Sequence, residues 1–198
     1  MATLAASWVW AAWVTVAAPA EAPRVQPGAQ TTAALTQAVA GGEWTRAHEL
    51  LRALELELAS VAPLRLCDGQ VLVAPPAGLG MYEVAPKGVI RGDELYLYVQ
   101  VQQHTLRPER GGFELSLASD LVLLGADGAE LARDADLGRS AFWAKAAHRD
   151  TFVVVALRVK GLAAGAYRAR WTVRDTLGGK QATIELPFTM GPRAGATP

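Results

Sequence analysis

The side chains with chemistry to offer are few and scattered. His48, His104 and His148 lie far apart in the chain. If His104 ends one strand and His148 precedes another, a β-domain could bring them to one end, where Met81, Met190 or the lone Cys67 would add soft ligands suited to copper. No His-x-His or Cys-x-x-Cys spacing accompanies them, so loop histidines are the default and no metal site is assigned. Asp120, Asp127, Asp134, Asp136 and Asp150 sit in turn-like or loop-like stretches, where aspartate is favoured for local hydrogen bonding. General acid–base work needs two carboxylates, or a histidine and a carboxylate, converging on one point. Gly138-Arg139-Ser140-Ala141-Phe142 opens like a nucleophile elbow and lacks its closing glycine. No phosphate-cradling loop or zinc-protease helix motif occurs. The expectation is therefore non-enzymatic: no catalytic residue, no cofactor and no metal.

Contact chemistry is the better candidate. Tyr96 and Tyr98, with Gln100 and Gln102, share one face of an alternating segment, and tyrosine with glutamine can present a flat, hydrogen-bonding platform. The bland alternative is that the helices or a second sheet cover that face. Arg168, Arg170 and Arg174 alternate along another segment and could grip an acidic polymer; cross-strand pairing with Asp and Glu is the competing reading. Trp143, beside Phe142 in the weakly periodic stretch 137–150, reads as an aromatic on a loop, placed either to touch a partner or to cap the core. Tyr96, Tyr98, Trp143, Arg168, Arg170 and Arg174 are thus the expected partner-binding residues.

These residues need elements to hold them. Residues 31–40 place Ala34, Leu35, Ala38 and Val39 on one helical face, and Gly41-Gly42 breaks the pattern. Residues 43–60 repeat Trp44, Ala47, Leu50, Leu51, Leu54 and Leu58 at spacings of three and four, the mark of an amphipathic helix. Pro63 stops it. A lone helical pair cannot bury its own stripe, so it must meet the rest of the chain, a copy of itself or a partner. From Leu64 the period becomes two. Residues 94–102, 151–160, 166–175 and 182–190 each alternate apolar and polar side chains, the antiparallel habit of one buried and one wet face. Turn chemistry at 107–112, 126–128 and 177–179 fits hairpins. The expected fold is mainly β, an immunoglobulin-like antiparallel β-sandwich of about seven or eight strands behind an αα-hairpin. Its divisions are 1–20 signal peptide or membrane anchor, 21–30 linker, 31–62 hairpin, 63–190 sandwich and 191–198 flexible tail.

Two resemblances accompany this reading. Gly42-Glu43-Trp44-Thr45-Arg46-Ala47-His48-Glu49-Leu50-Leu51 resembles a single tetratricopeptide-type unit, although a solenoid needs about three repeats. The run Gly161-Leu162-Ala163-Ala164-Gly165-Ala166-Tyr167-Arg168, then Trp171-Thr172-Val173-Arg174-Asp175 and Leu186-Pro187-Phe188-Thr189, resembles the closing strands of exported bacterial immunoglobulin-like domains. Gly80-Met81-Tyr82-Glu83-Val84 and Gly92-Asp93-Glu94-Leu95-Tyr96-Leu97-Tyr98-Val99 are similar to the opening strands of an uncharacterised group of exported bacterial proteins with short helices before the sandwich. That resemblance implies a fold and a compartment, and no functional residues.

Composition sets the remaining limits. Residues 1–20 carry no charge, are mostly apolar and end Ala18-Pro19-Ala20, a small-x-small cleavage pattern that makes the chain exported, with membrane attachment only through this segment if it is kept. Of its 198 residues, 19 are basic and 19 acidic, a balance that argues against a binder driven by phosphate contacts. The expected function is an exported binding or structural module engaging an envelope macromolecule, a protein first and a glycan or acidic polymer second, with no nucleic acid.

Overall fold

The computed structural model describes residues 28–192. The readings of 1–20 as an export signal, of most of the 21–30 linker and of most of the 191–198 tail therefore lie outside the described residues. Two antiparallel helices come first, α1 (Ala29–Ala40) and α2 (Trp44–Val61). Their turn needs Gly42, whose φ of 70° is left-handed. Helix α1 begins inside the expected linker because Ala29 and Gln30 are good helix formers following Gly28. Ala38 and Ala47 are buried where the helices cross; small side chains there permit close approach. No helix among the described residues is long and apolar enough to cross a membrane.

The rest is β structure in two sheets. The strands are β1 (Arg65–Leu72), β2 (Val89–Ile90), β3 (Glu94–Gln102), β4 (Arg107–Glu109), β5 (Gly112–Gly125), β6 (Glu130–Ala144), β7 (Thr151–Arg158), β8 (Gly165–Asp175) and β9 (Lys180–Met190). The smaller sheet runs β1-β3-β7; the larger runs β2-β9-β8-β5-β4, with β6 along the other side of β5. The chain is mainly β with two N-terminal helices, as its periodicity predicts. The strand tally differs from about seven or eight: β2 and β4 are stubs of two and three residues, too short to leave a pattern.

One core joins the sheets. The odd-numbered residues of β3, Leu95 to Val101, meet Val153 and Val155 of β7, Leu115, Leu117 and Leu121 of β5, Trp171 and Val173 of β8, and Leu186, Phe188 and Met190 of β9. Alternation delivers one face of each strand to this core. A bulge between Cys67 and Gln70 brings β1 against β9. Gly69 makes the approach possible, since a Cβ there would fall 2.5 Å from Ile184 Cδ1 and 2.7 Å from Leu186 Cδ2.

Strand β6 departs from the expected loop at 137–150. It bonds β5 from Phe113 to Leu124 and is exposed along almost its whole length, with only Leu137 and Ala144 half-buried. A strand with water on both faces needs no alternation, which is why Gly138, Ser140 and Ala141 gave none. Its backbone slips register opposite Ser119 to Leu121, where Asp136 takes φ 62°. The bulge and the charges of Arg133, Asp134, Asp136 and Arg139 guard this edge against pairing with other strands.

Candidate functional site

Tyr98 is no platform. Segment 73–84 folds back over the outer face of the small sheet, bridging Leu72 to Val84. Tyr82 then covers Tyr98 at a ring distance of 4.5 Å, Phe152 stacks on it at 5.5 Å, and the Tyr98 hydroxyl accepts the Gly80 N–H at 3.0 Å. Tyr98 is fully buried. The expected contact surface is corrected accordingly: the chain supplies its own cover. Asp68 ties the cover down by accepting from Tyr82, from Gln70 at 3.1 Å and from Gln100 at 3.2 Å. The Asp68 carboxylate pushes the Tyr82 phenol up to about 12. Tyr96 is half-buried and its hydroxyl is engaged by Glu94.

The arginines of β8 are paired across strands. Glu185 of β9 accepts from Arg170 at 2.7 Å and Arg168 at 3.4 Å. Arg174 makes two bonds to Asp120 of β5, at 2.8 and 2.9 Å, and one to Asp136 of β6 at 3.1 Å. Asp120 also accepts the Asp136 N–H at 2.7 Å, so this trio pins the β6 bulge. Arg174 first, then that N–H, hold the Asp120 carboxyl below its usual range; Arg170 does the same for Glu185.

Trp143 lies on β6, not on a loop. It stands opposite Glu114 on the outer face, in line with Arg139 and Ala141, while Phe142 shares the inner face with Leu115. Trp143 rests over Gly112, where a Cβ would come 2.4 Å from its Cζ2, and its indole N–H donates to the Glu109 carbonyl at 2.8 Å. The ring is therefore fixed, yet 50% exposed, with Phe142 42% exposed beside it. Glu109, Arg110, Glu114, Ala141, Phe142 and Trp143 line an open groove of about 620 Å³. Its carboxylates are answered: Arg107 binds Glu114 and keeps its carboxyl low, and Arg110 lies 3.4 Å from Glu109. Among the described residues, no ion pair involves Arg139 or Lys145. The groove can thus hold a flat ring and attract an anion.

A second polar cluster lies where the helices meet the β-domain. His104 is buried, its Nε2–H donating to the His148 carbonyl at 2.9 Å. The two histidines do reach one end of the fold, but through a backbone carbonyl and not a shared ligand. No group of three His, Cys, Asp or Glu side chains placed to hold a metal occurs among the described residues. Nearby, buried Asp175 accepts the N–H groups of Thr105 at 2.7 Å, Gly178 at 3.0 Å and Leu177 at 3.1 Å. Lys180 donates to the Ala59 carbonyl of α2 and to the Gln103 carbonyl at 2.9 Å. Glu55 of α2 pairs with Arg149.

No family model matches the chain, and no curated protein does. A solved structure of Pseudomonas fluorescens alkylpurine DNA glycosylase AlkC bound to DNA containing an abasic site analog is similar, at 13% identity and a TM-score of 0.38. The match covers 83% of this chain and 46% of that one, so this chain spans less than half the length of the glycosylase. The neighbour found is a DNA-bound enzyme and not an envelope-binding module. The expectation of an envelope protein or glycan as partner, with nucleic acid excluded, is corrected on that finding; a likeness this loose transfers nothing more. The exclusion drew on net charge, a sum that hides where charges lie. The acidic residues of β6 cluster at Glu130, Asp134 and Asp136, whereas its cation Arg139 and the adjoining Lys145 flank Trp143.

Proposed function

We propose that the β-domain is a non-catalytic module that binds single-stranded nucleic acid, with Trp143 as a stacking platform and Arg110, Arg139 and Lys145 as phosphate contacts. The observation that carries this is the pinned, half-exposed Trp143 ring set between Arg139 and Lys145, two cations that no carboxylate answers among the described residues. A ring held by its own N–H loses little freedom when a base stacks on it, and base–aromatic stacking contributes about 1–3 kcal/mol per base. Arg139 and Lys145 are roughly 20 Å apart along the strand, room for a short run of nucleotides. An extended single strand alternates flat bases with anionic phosphates, the two chemistries the groove offers.

The test is fluorescence anisotropy with a labelled oligo(dT) of roughly 12 nucleotides at low salt. Binding is expected to weaken about tenfold in Trp143→Ala. Arg139→Gln with Lys145→Gln should flatten the salt dependence by about 1.4 in log–log slope, since each phosphate contact on a single strand contributes about 0.7. No anisotropy change at roughly 100 µM chain, a concentration that would reveal even weak non-specific binding, would sink the proposal.

Two further readings belong to it. The facing sheets, β1-β3-β7 against β9-β8-β5-β6, support an immunoglobulin-like strand order. Residues 1–20 are proposed as a cleaved export signal, which would place the module outside the cytoplasm. Intact mass of the chain from its host checks this: loss of residues 1–20 is expected, and a full-length mass would make them a retained anchor.

A further inference from the structure

The Trp143 ring has a polar border on its own face of the sheet. Arg107 of β4, Glu114 of β5 and Trp143 of β6 are register partners and form one row across the outer side; Glu109 and Gly112 belong to the next row. The indole leaves its row and lies over Gly112, with its N–H on the Glu109 carbonyl. One face of the ring is therefore turned to backbone and the other outward. Glu114 flanks the ring on one side and Glu109 stands past its far end, the two being diagonal neighbours across β4 and β5. The Glu109 side chain is close enough to act on Glu114 as a hydrogen-bond partner. Arg107 and Arg110 offset the charge of these carboxylates without using up their acceptors. Both bonds from Arg107 fall on Oε2 of Glu114, and Arg110 approaches Oε1 of Glu109 at 3.4 Å. A carboxylate offers two oxygens and about four lone pairs, so the edge of the ring is lined with acceptors that can still take bonds.

We propose that the base stacked on Trp143 is guanine, read at its Watson–Crick edge by Glu114 and Glu109; this rests on the single-strand reading of the groove and names what that groove prefers. Two properties select it. The indole is bicyclic, so a purine covers it more fully than a pyrimidine does. The groups at the ring's edge only accept, so they favour a base whose edge donates. Guanine sets two donors side by side there, N1–H and the 2-amino group. Adenine sets the N1 lone pair beside its one amino group. Thymine places a single N–H between two carbonyls, and cytosine turns N3 and a carbonyl to the same side. Each of these three would leave a carboxylate facing an acceptor, an arrangement that costs more than a missing bond. The two carboxylates also repel each other when both are ionised, and a ligand that sets N–H groups against them relieves that repulsion.

The test uses the full chain and labelled oligo(dT) strands of roughly 12 nucleotides that differ at one central position, which carries thymine, adenine, inosine or guanine. Fluorescence anisotropy reads each affinity. The guanine strand should bind about tenfold tighter than the adenine strand, the discrimination a good pair of base-edge bonds gives. Inosine keeps N1–H and lacks the 2-amino group, so it should fall between them. Glu114→Gln should bring the guanine-to-adenine ratio to about one, whatever the absolute affinities become. Glu109→Gln, on the neighbouring strand, should lower the same ratio and serves if the first variant misfolds. Arg139→Gln should weaken every strand and keep the ratio, which separates phosphate contact from base reading. Equal binding of the guanine and adenine strands overturns the assignment and leaves stacking on Trp143 standing. So does a guanine preference that survives both glutamate substitutions. No anisotropy change with any strand at roughly 100 µM chain removes the single-strand reading itself, and this assignment with it.

Discussion

His104 shows how a single buried imidazole ties stability to pH. Burial, with a smaller push from Lys180, holds it below its ordinary value near 6.5, against upward effects from the His148 carbonyl, Asp175 and the Val101 backbone. A histidine that is harder to protonate folded than unfolded contributes stability that is fully present above the unfolded value and lost as pH falls toward the folded one. Denaturation midpoints should therefore drop between pH 7 and 5, and His104→Leu should flatten that slope; a parallel slope in the variant would refute the assignment. Trp171 poses a different question, being fully buried with an indole N–H that has no hydrogen-bond partner. Trp171→Ala should cost about 3–5 kcal/mol, and Trp171→Phe distinctly less because no hydrogen bond is lost, both read by urea titration. Asp175→Ala strands three backbone N–H groups and should cost about 3 kcal/mol or more. The sequence showed Trp171 as an inward residue, since alternation in β8 places it there. It did not show His104 or Tyr98 as buried. What covers them comes from loops, at 145–150 and 73–84, whose path no periodicity encodes.

Among the elements, β3, β7, β8 and β9 were readable almost to the residue because each has one dry face, and a dry face must alternate. Strand β6 was not readable for the opposite reason. The candidate groove shares that fate: Trp143 was picked out as an exposed aromatic, but its support by Gly112 and Glu109 depends on β4, a three-residue strand with no pattern of its own. Gly112 gives a direct test of the support. A methyl there would overlap the Trp143 ring, so Gly112→Ala should free the indole, seen as a red-shifted, more quenchable emission, and weaken oligonucleotide binding about as much as removing the ring. Unchanged binding would mean that the ring's fixed pose is irrelevant. The arginine row of β8 illustrates a second limit. Its alternation was plain, but its partners Asp120, Asp136 and Glu185 lie on three other strands, and pairing across strands is set by register.

For the molecule as a whole, the chief division is between hairpin and β-domain. The core residues all come from the β-domain and the segments that join its strands, and the helices are fastened to it by charged contacts near the end of α2. Deleting residues 28–62 should leave a cooperatively folding β-domain that keeps its Trp171 environment and loses the helical signal; collapse of that transition would show that the helices are part of the core. Finally, β6 hydrogen-bonds to β5 on one side only, so its backbone amides alternate between inward and outward. In deuterated water it should behave as a comb, every second amide exchanging at once and its neighbours persisting. An oligonucleotide lying on side chains of the outer face would leave that comb unchanged, whereas anything that added itself as a strand would fill the missing teeth.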